Sequence, residues 1–149
     1  MLLHRQSGFT LLEIMVVLAI AGLVLGVSGP MALKLYESTQ YRSAVKDVVT
    51  SLTAARYGAI SSGQYVDVIT TPEARTIRVG KKEVSLSDSV KLSVTSAQSL
   101  NQMIDGAGVI RFFPDGTSTG GSISLEHKNG HGIRLRVDWL LGSITQVAL

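Results

Sequence analysis

Residues 8–29 read GFTLLEIMVVLAIAGLVLGVSG, and this stretch decides how the chain is organised. From Phe9 to Val27 it holds nineteen residues, with Thr10 and Glu13 as the strongly polar interruptions. A helix of that length is about 28 Å long, close to the hydrocarbon thickness of a bilayer. From Ile14 onward the apolar run is fourteen residues, the length of a signal-peptide core or a buried helix. Length alone therefore leaves three options: a cleaved secretory signal, a membrane anchor or a core helix.

Three details separate them. His4 and Arg5 precede the run, so the positive-inside rule keeps the N-terminus cytoplasmic and sends the rest across. No A-x-A pattern follows it, and the small residues Gly26, Ser28 and Gly29 offer only a weak cleavage site. Glu13 is the third detail. A carboxylate near the membrane centre costs about 2.5–3.5 kcal/mol on insertion scales, so it needs a partner and marks a functional position.

The segment GFTLLEIMVVLAI resembles the type III signal of type IV pilins and type II secretion pseudopilins. In that family a prepilin peptidase cuts after the glycine and methylates the new N-terminus. Carried over, the cut falls between Gly8 and Phe9, Phe9 is the methylated residue, and Glu13 becomes the fifth residue of the mature chain. The new amine is a cation inside the bilayer, for which a carboxylate is the natural partner during assembly. Pro30 resembles the family's helix-kinking proline.

Beyond the apolar run the pattern becomes amphipathic. Tyr41, Val45, Val48, Leu52, Ala55 and Ala59 recur at three- and four-residue steps, one stripe of an α-helix. A single helix from about Phe9 to Ser61 is expected, bent near Pro30 and ended by Ser61-Ser62-Gly63. The rest reads as short strands: 65–70, 76–79, 83–86, 90–95, 109–113, 122–126, 132–137 and 143–147. In 133–138, IRLRVD, Ile133, Leu135 and Val137 face one way and Arg134, Arg136 and Asp138 the other. Asn129-Gly130 signals a type I′ hairpin, and 97–108 is left as a loop or short helix. The fold class is α+β. It divides into a leader (1–8), a transmembrane and assembly helix (9–30), an amphipathic helix (31–63) and a periplasmic β domain (64–149).

FFPDGTSTGGSISLEH (112–127) with GIRLRVDWLLGSI (132–144), and TAARYGAI (53–60) before them, is similar to the H-type minor pseudopilins, the GspH/FimT-like domain. That resemblance implies two small antiparallel sheets packed on the helix. It also implies a structural subunit near the tip of a periplasmic pseudopilus that drives protein export. Its partners would be the major pseudopilin, the other minor pseudopilins and the prepilin peptidase. The protein would sit in the bacterial inner membrane with a single pass and its C-terminal domain in the periplasm. The alternative is a FimT-like minor pilin of a type IV pilus that binds DNA in natural transformation. That role needs a basic surface. Arg134 and Arg136 share one face, but the tail SITQVAL carries no charge, so nucleic acid is not the expected partner.

The composition supports no other chemistry. There are no cysteines, which excludes disulfides, thiolate metal sites and a cysteine nucleophile. The net charge of +3 comes from interspersed signs without a polybasic block. His127 and His131 are four apart but flank a hairpin, and read as exposed loop histidines rather than metal ligands. Asp115 in PDGTSTGG is one carboxylate where calcium needs several; a turn with Pro114 at its first central position is the better account. GTSTGG lacks the lysine and following helix of a phosphate loop. No catalytic constellation, metal or cofactor is expected. Trp139, the single tryptophan, is read as a half-buried core or edge residue, with an interface role as the alternative.

Overall fold

The computed structural model describes residues 8–96 and 106–149, and for 27–34 the backbone alone. Its elements are one helix, α1 (Leu11–Ser62), and eight strands: β1 (Val66–Thr71), β2 (Thr76–Val79), β3 (Lys82–Ser85), β4 (Val90–Ser96), β5 (Gly108–Phe112), β6 (Gly121–His127), β7 (Gly132–Val137) and β8 (Ile144–Ala148). The chain forms two compact units, Met1–Ser38 and Thr39–Leu149. Most of the expected 97–108 loop lies outside the described residues, and its last residue, Gly108, opens β5.

In the first unit α1 begins with a cap. The Thr10 hydroxyl accepts from the Glu13 N–H at 3.2 Å, and the Thr10 carbonyl accepts from Glu13 and Ile14. This satisfies donors that the first turn of any helix leaves orphaned. The helix continues without a break through Pro30. Among the described residues no helix is long and apolar enough to cross a membrane; the described side chains of the apolar run stop at Gly26.

The second unit is built on the C-terminal part of α1. Its buried side chains Val45, Val48, Leu52, Ala55 and Ala59 are the expected stripe, joined by Ala44. They pack against Val68, Ile110, Phe112, Ile123, Leu125 and Leu135 in one core. Truncating a side chain as enclosed as Leu52 to alanine costs about 2–5 kcal/mol. Tyr41, at the edge of the stripe, donates its hydroxyl to the Leu125 carbonyl at 3.0 Å, and burial pushes its phenol up. The helix ends where Gly63 takes φ +66° and returns its N–H to the Ala59 carbonyl, a left-handed cap that glycine adopts without steric cost.

The strands form two four-stranded antiparallel sheets, ordered β3-β2-β1-β5 and β4-β6-β7-β8. The alternation in β7 holds: Leu135 and Val137 are buried, and Arg134 and Arg136 are exposed. The β6–β7 hairpin differs from expectation. His127 pairs with His131 across a three-residue loop, the Gly130 N–H returns to the His127 carbonyl, and Gly130 alone in the loop takes positive φ. This is a type I turn closed by a left-handed glycine rather than type I′. Asn129 keeps negative φ, and its N–H donates to His127 Nδ1 at 3.2 Å. In the first sheet the Arg111 guanidinium, on β5, is bidentate to Asp67 on β1 (2.6 and 2.8 Å) and lies 4.0 Å over the Tyr65 ring. That pairing raises the arginine further and ties β1 to β5.

Candidate assembly surfaces

Each unit carries one surface that its own fold does not use. In the first unit the side chains from Phe9 to Leu25 stand exposed on every side of the helix; Phe9, Leu11, Leu23 and Leu25 are each more than two-thirds exposed. A helix that is apolar all round requires an apolar surrounding, lipid or other helices. Glu13 is the one carboxylate in it. It sits in the first helical turn, where the helix dipole favours negative charge. Thr10 and Glu13 also have the T-x-x-E spacing of a capping box, of which the Thr10 half is made. That spacing is legible in the sequence and adds a local reason for Glu13. Gly8 is exposed, and a Cβ added there would meet nothing within 4 Å. The folded chain therefore places no demand for glycine at position 8.

In the second unit the two segments that resemble the H-type signature fold onto each other. Phe113–Gly116 is a turn with Pro114 at its first central position, closed from the Gly116 N–H to the Phe113 carbonyl at 3.0 Å. The Asp115 carboxylate accepts from the Thr117 hydroxyl (2.7 Å) and N–H (3.0 Å), which hold it below its ordinary range. The turn between β7 and β8 is built by Asp138. Its Oδ1 accepts from the N–H groups of Leu140 and Leu141 at 2.9 and 2.8 Å, and its carbonyl accepts from the Gly142 N–H and the Ser118 hydroxyl. Arg56, from α1, donates to the Gly116 carbonyl at 3.3 Å. Gly142 must be glycine for two reasons: φ is +58°, and a Cβ would stand 2.2 Å from that same carbonyl oxygen.

The result is a fixed turn that holds Trp139, Leu140 and Leu141 outward, at 65%, 55% and 63% exposure. Trp139 is thus not a half-buried residue. The β7 alternation ends at Val137 and Asp138 starts a turn, so the three apolar residues after it face no core. Beside Trp139 an open groove of about 810 Å³ runs over the outer face of the second sheet, past Ser122, Arg136 and Thr145. The remaining sequence candidates do not converge. His131 is exposed at the end of the hairpin, His127 is set edge-on against the Tyr41 ring, and no group of three metal-ligating side chains occurs among the described residues. Arg134 donates to the Ser124 hydroxyl at 3.1 Å, while Arg136 stands exposed in the groove.

Comparison with known proteins agrees with this division. Residues 3–29 match the prokaryotic N-terminal methylation motif. Type II secretion system protein H of Xanthomonas campestris pv. campestris is 32% identical over 143 residues, covering 95% of this chain and 83% of that protein. A fimbrial protein of Pseudomonas aeruginosa is 34% identical over 86 residues, which is 58% of this chain and 55% of that protein. The minor pseudopilin EpsH from the type 2 secretion system of Vibrio cholerae shares the fold, with a TM-score of 0.51 and 16% identity over 77% of this chain and 95% of that one. Residues 44–141, which span the buried stripe, both sheets up to β7 and the Trp139 turn, match the type II transport protein GspH model, and the chain belongs to that family.

Proposed function

We infer that the chain is a minor pseudopilin of a type II secretion system, a structural subunit rather than an enzyme, held in the inner membrane and assembled near the tip of a periplasmic filament. The observation that carries this reading is the α1 segment whose described side chains are apolar on every side and interrupted by the single carboxylate of Glu13. With Val27 included, the apolar run is long enough for one pass, and His4 and Arg5 keep its start cytoplasmic. The β domain then lies in the periplasm. Prepilin peptidase cuts between Gly8 and Phe9 and the Phe9 amine is methylated. Glu13 neutralises that amine on a neighbouring subunit, and Pro30, which lacks an N–H, bends the helix. The partners are the major pseudopilin and the other minor pseudopilins, and the Trp139 turn supplies a lateral contact.

The exposed Arg134 and Arg136 are what favours the rival reading, a DNA-binding minor pilin. They are flanked on the same face by uncharged Thr145 and Val147, so the basic surface stays narrow for nucleic acid.

N-terminal mass spectrometry of the membrane-extracted protein tests the reading. A chain starting at methylated Phe9 supports it. A start beyond Val27 marks ordinary signal cleavage and removes the filament role.

A further inference from the structure

A sheet edge presents a row of unpaired backbone groups, and natural proteins blunt it with charge, proline, bulges or a covering segment. Three of the four edges here are blunted. β3 is short and carries Lys82 and Glu83. β4 carries the exposed Lys91. β5 is covered by the loop that follows it: Thr119 donates its N–H to the Arg111 carbonyl, and its hydroxyl accepts from the Arg111 N–H. β8, ITQVA, has no charge and no proline, and its last four residues are exposed.

The register says which groups β8 leaves open. Asp138 donates to Ser143 and Leu149 to Gly132, and the ladder pairs Arg136 with Thr145 and Arg134 with Val147. Hydrogen-bonded pairs alternate along an antiparallel ladder. Ser143, Thr145, Val147 and Leu149 therefore turn their backbone groups to β7, and Ile144, Gln146 and Ala148 turn theirs outward. Thr145 and Val147 are also the short side chains that separate Arg136 and Arg134 from the edge. Neither arginine forms an ion pair among the described residues. A further strand would lie about 10 Å from β7, two strand spacings away, within reach of both guanidinium groups.

We propose that the β8 edge is a strand-addition site that takes an extended, acidic segment of another polypeptide as a fifth, antiparallel strand of the β4-β6-β7-β8 sheet. Its backbone pairs with Ile144, Gln146 and Ala148, and carboxylates at alternate positions meet Arg134 and Arg136. Backbone pairing supplies affinity and the arginines supply selectivity. The β8 edge and its register are independent of how the N-terminus is processed.

The test uses the full-length protein in the membranes of its own host, with a photo-crosslinking amino acid at Gln146 and, as a control, at Glu83 on the β3 edge. Adducts are mapped by mass spectrometry. The expected result is one adduct segment in a different polypeptide with carboxylates at alternate positions, and none from Glu83. Ala148→Pro removes an outward N–H and no ladder bond, so it should lower the yield about tenfold at an unchanged melting temperature. Ala148→Glu, which repels an acidic strand, provides the same test by charge should the proline unfold the chain, and Arg136→Glu should lower the yield by a similar factor. An adduct on a second copy of this chain, no adduct at all, an equal yield from Glu83, or a yield indifferent to both Ala148 variants overturns the proposal.

Discussion

The carbonyl oxygen of Gly116 lies 2.2 Å from the point where a Cβ on Gly142 would stand. The two glycines belong to two different turns of the second unit, and Arg56 donates to the Gly116 oxygen. Gly142→Ala should therefore cost more than a left-handed backbone alone. Gly80 gives the comparison, since it shares φ +58° but has open space around it. Gly80→Ala should lose about 1–2 kcal/mol. Gly142→Ala should lose at least about 1 kcal/mol more, because backbone must move to admit the methyl. Urea unfolding of the two variants in detergent measures the gap.

Asp138 holds the turn that carries Trp139, so its carboxylate should control the motion of that ring. Asp138→Ala leaves the Leu140 and Leu141 N–H groups without their acceptor, a loss of about 1–2 kcal/mol for a capping-type bond. Because Trp139 is the sole tryptophan, its fluorescence reports the turn directly. The anisotropy should fall in Asp138→Ala while the far-ultraviolet circular dichroism stays unchanged. Equal anisotropy in variant and parent would show that the turn is rigid without the carboxylate.

The Asp115 turn should be the acid-sensitive part of this surface. The Thr117 hydroxyl, then its N–H, hold the Asp115 carboxyl below the ordinary range. A folded pKa below the unfolded one contributes stability that is fully present above the ordinary carboxylate value and is lost as pH falls through the depressed one. The turn should thus be intact at neutral pH and loosen only in strong acid. Carboxyl NMR titration should place Asp115 below its usual value, and Thr117→Val should move it back up. A titration unchanged by Thr117→Val contradicts the assignment.

Gly8 separates folding from processing. Nothing lies within 4 Å of a Cβ at that position, so Gly8→Leu should leave the melting temperature of the chain unchanged. The peptidase, which must approach this backbone closely, should leave the variant uncut. Mass spectrometry should then find the chain starting before Phe9.

Much of this was legible in the sequence, for a physical reason. Val45, Val48, Leu52, Ala55 and Ala59 repeat at the helical period because one helix face meets one core, and the β7 alternation is as regular because one sheet face meets that same core. Gly63 ends the helix at a position where only glycine is at ease. The hairpin type was not legible. Asn129-Gly130 names a turn by its two residues, whereas loop length is set by the His127–His131 pairing, which depends on register. The exposure of Trp139 was hidden similarly: a lone tryptophan after an alternating strand reads as half-buried core or edge until Asp138 is seen capping the N–H groups of Leu140 and Leu141. The Thr10 cap is legible from its T-x-x-E spacing to Glu13.

If α1 assembles this chain into a filament through the Glu13 carboxylate, that carboxylate should be dispensable for insertion and required for assembly. The chain has no native cysteine, so one introduced at a lipid-facing helix position can be crosslinked to the major pseudopilin and quantified at equal membrane levels. Glu13→Leu should insert at least as well, since the costly charge is gone. Its crosslinking should nonetheless fall about tenfold or more, because the neighbouring amine is left uncompensated in a desolvated site. Glu13→Asp should keep most of the yield, and Thr10→Val, which removes the helix cap alone, should keep it as well. A wild-type yield from Glu13→Leu, or an equal loss from Thr10→Val, would contradict the charge-pair account.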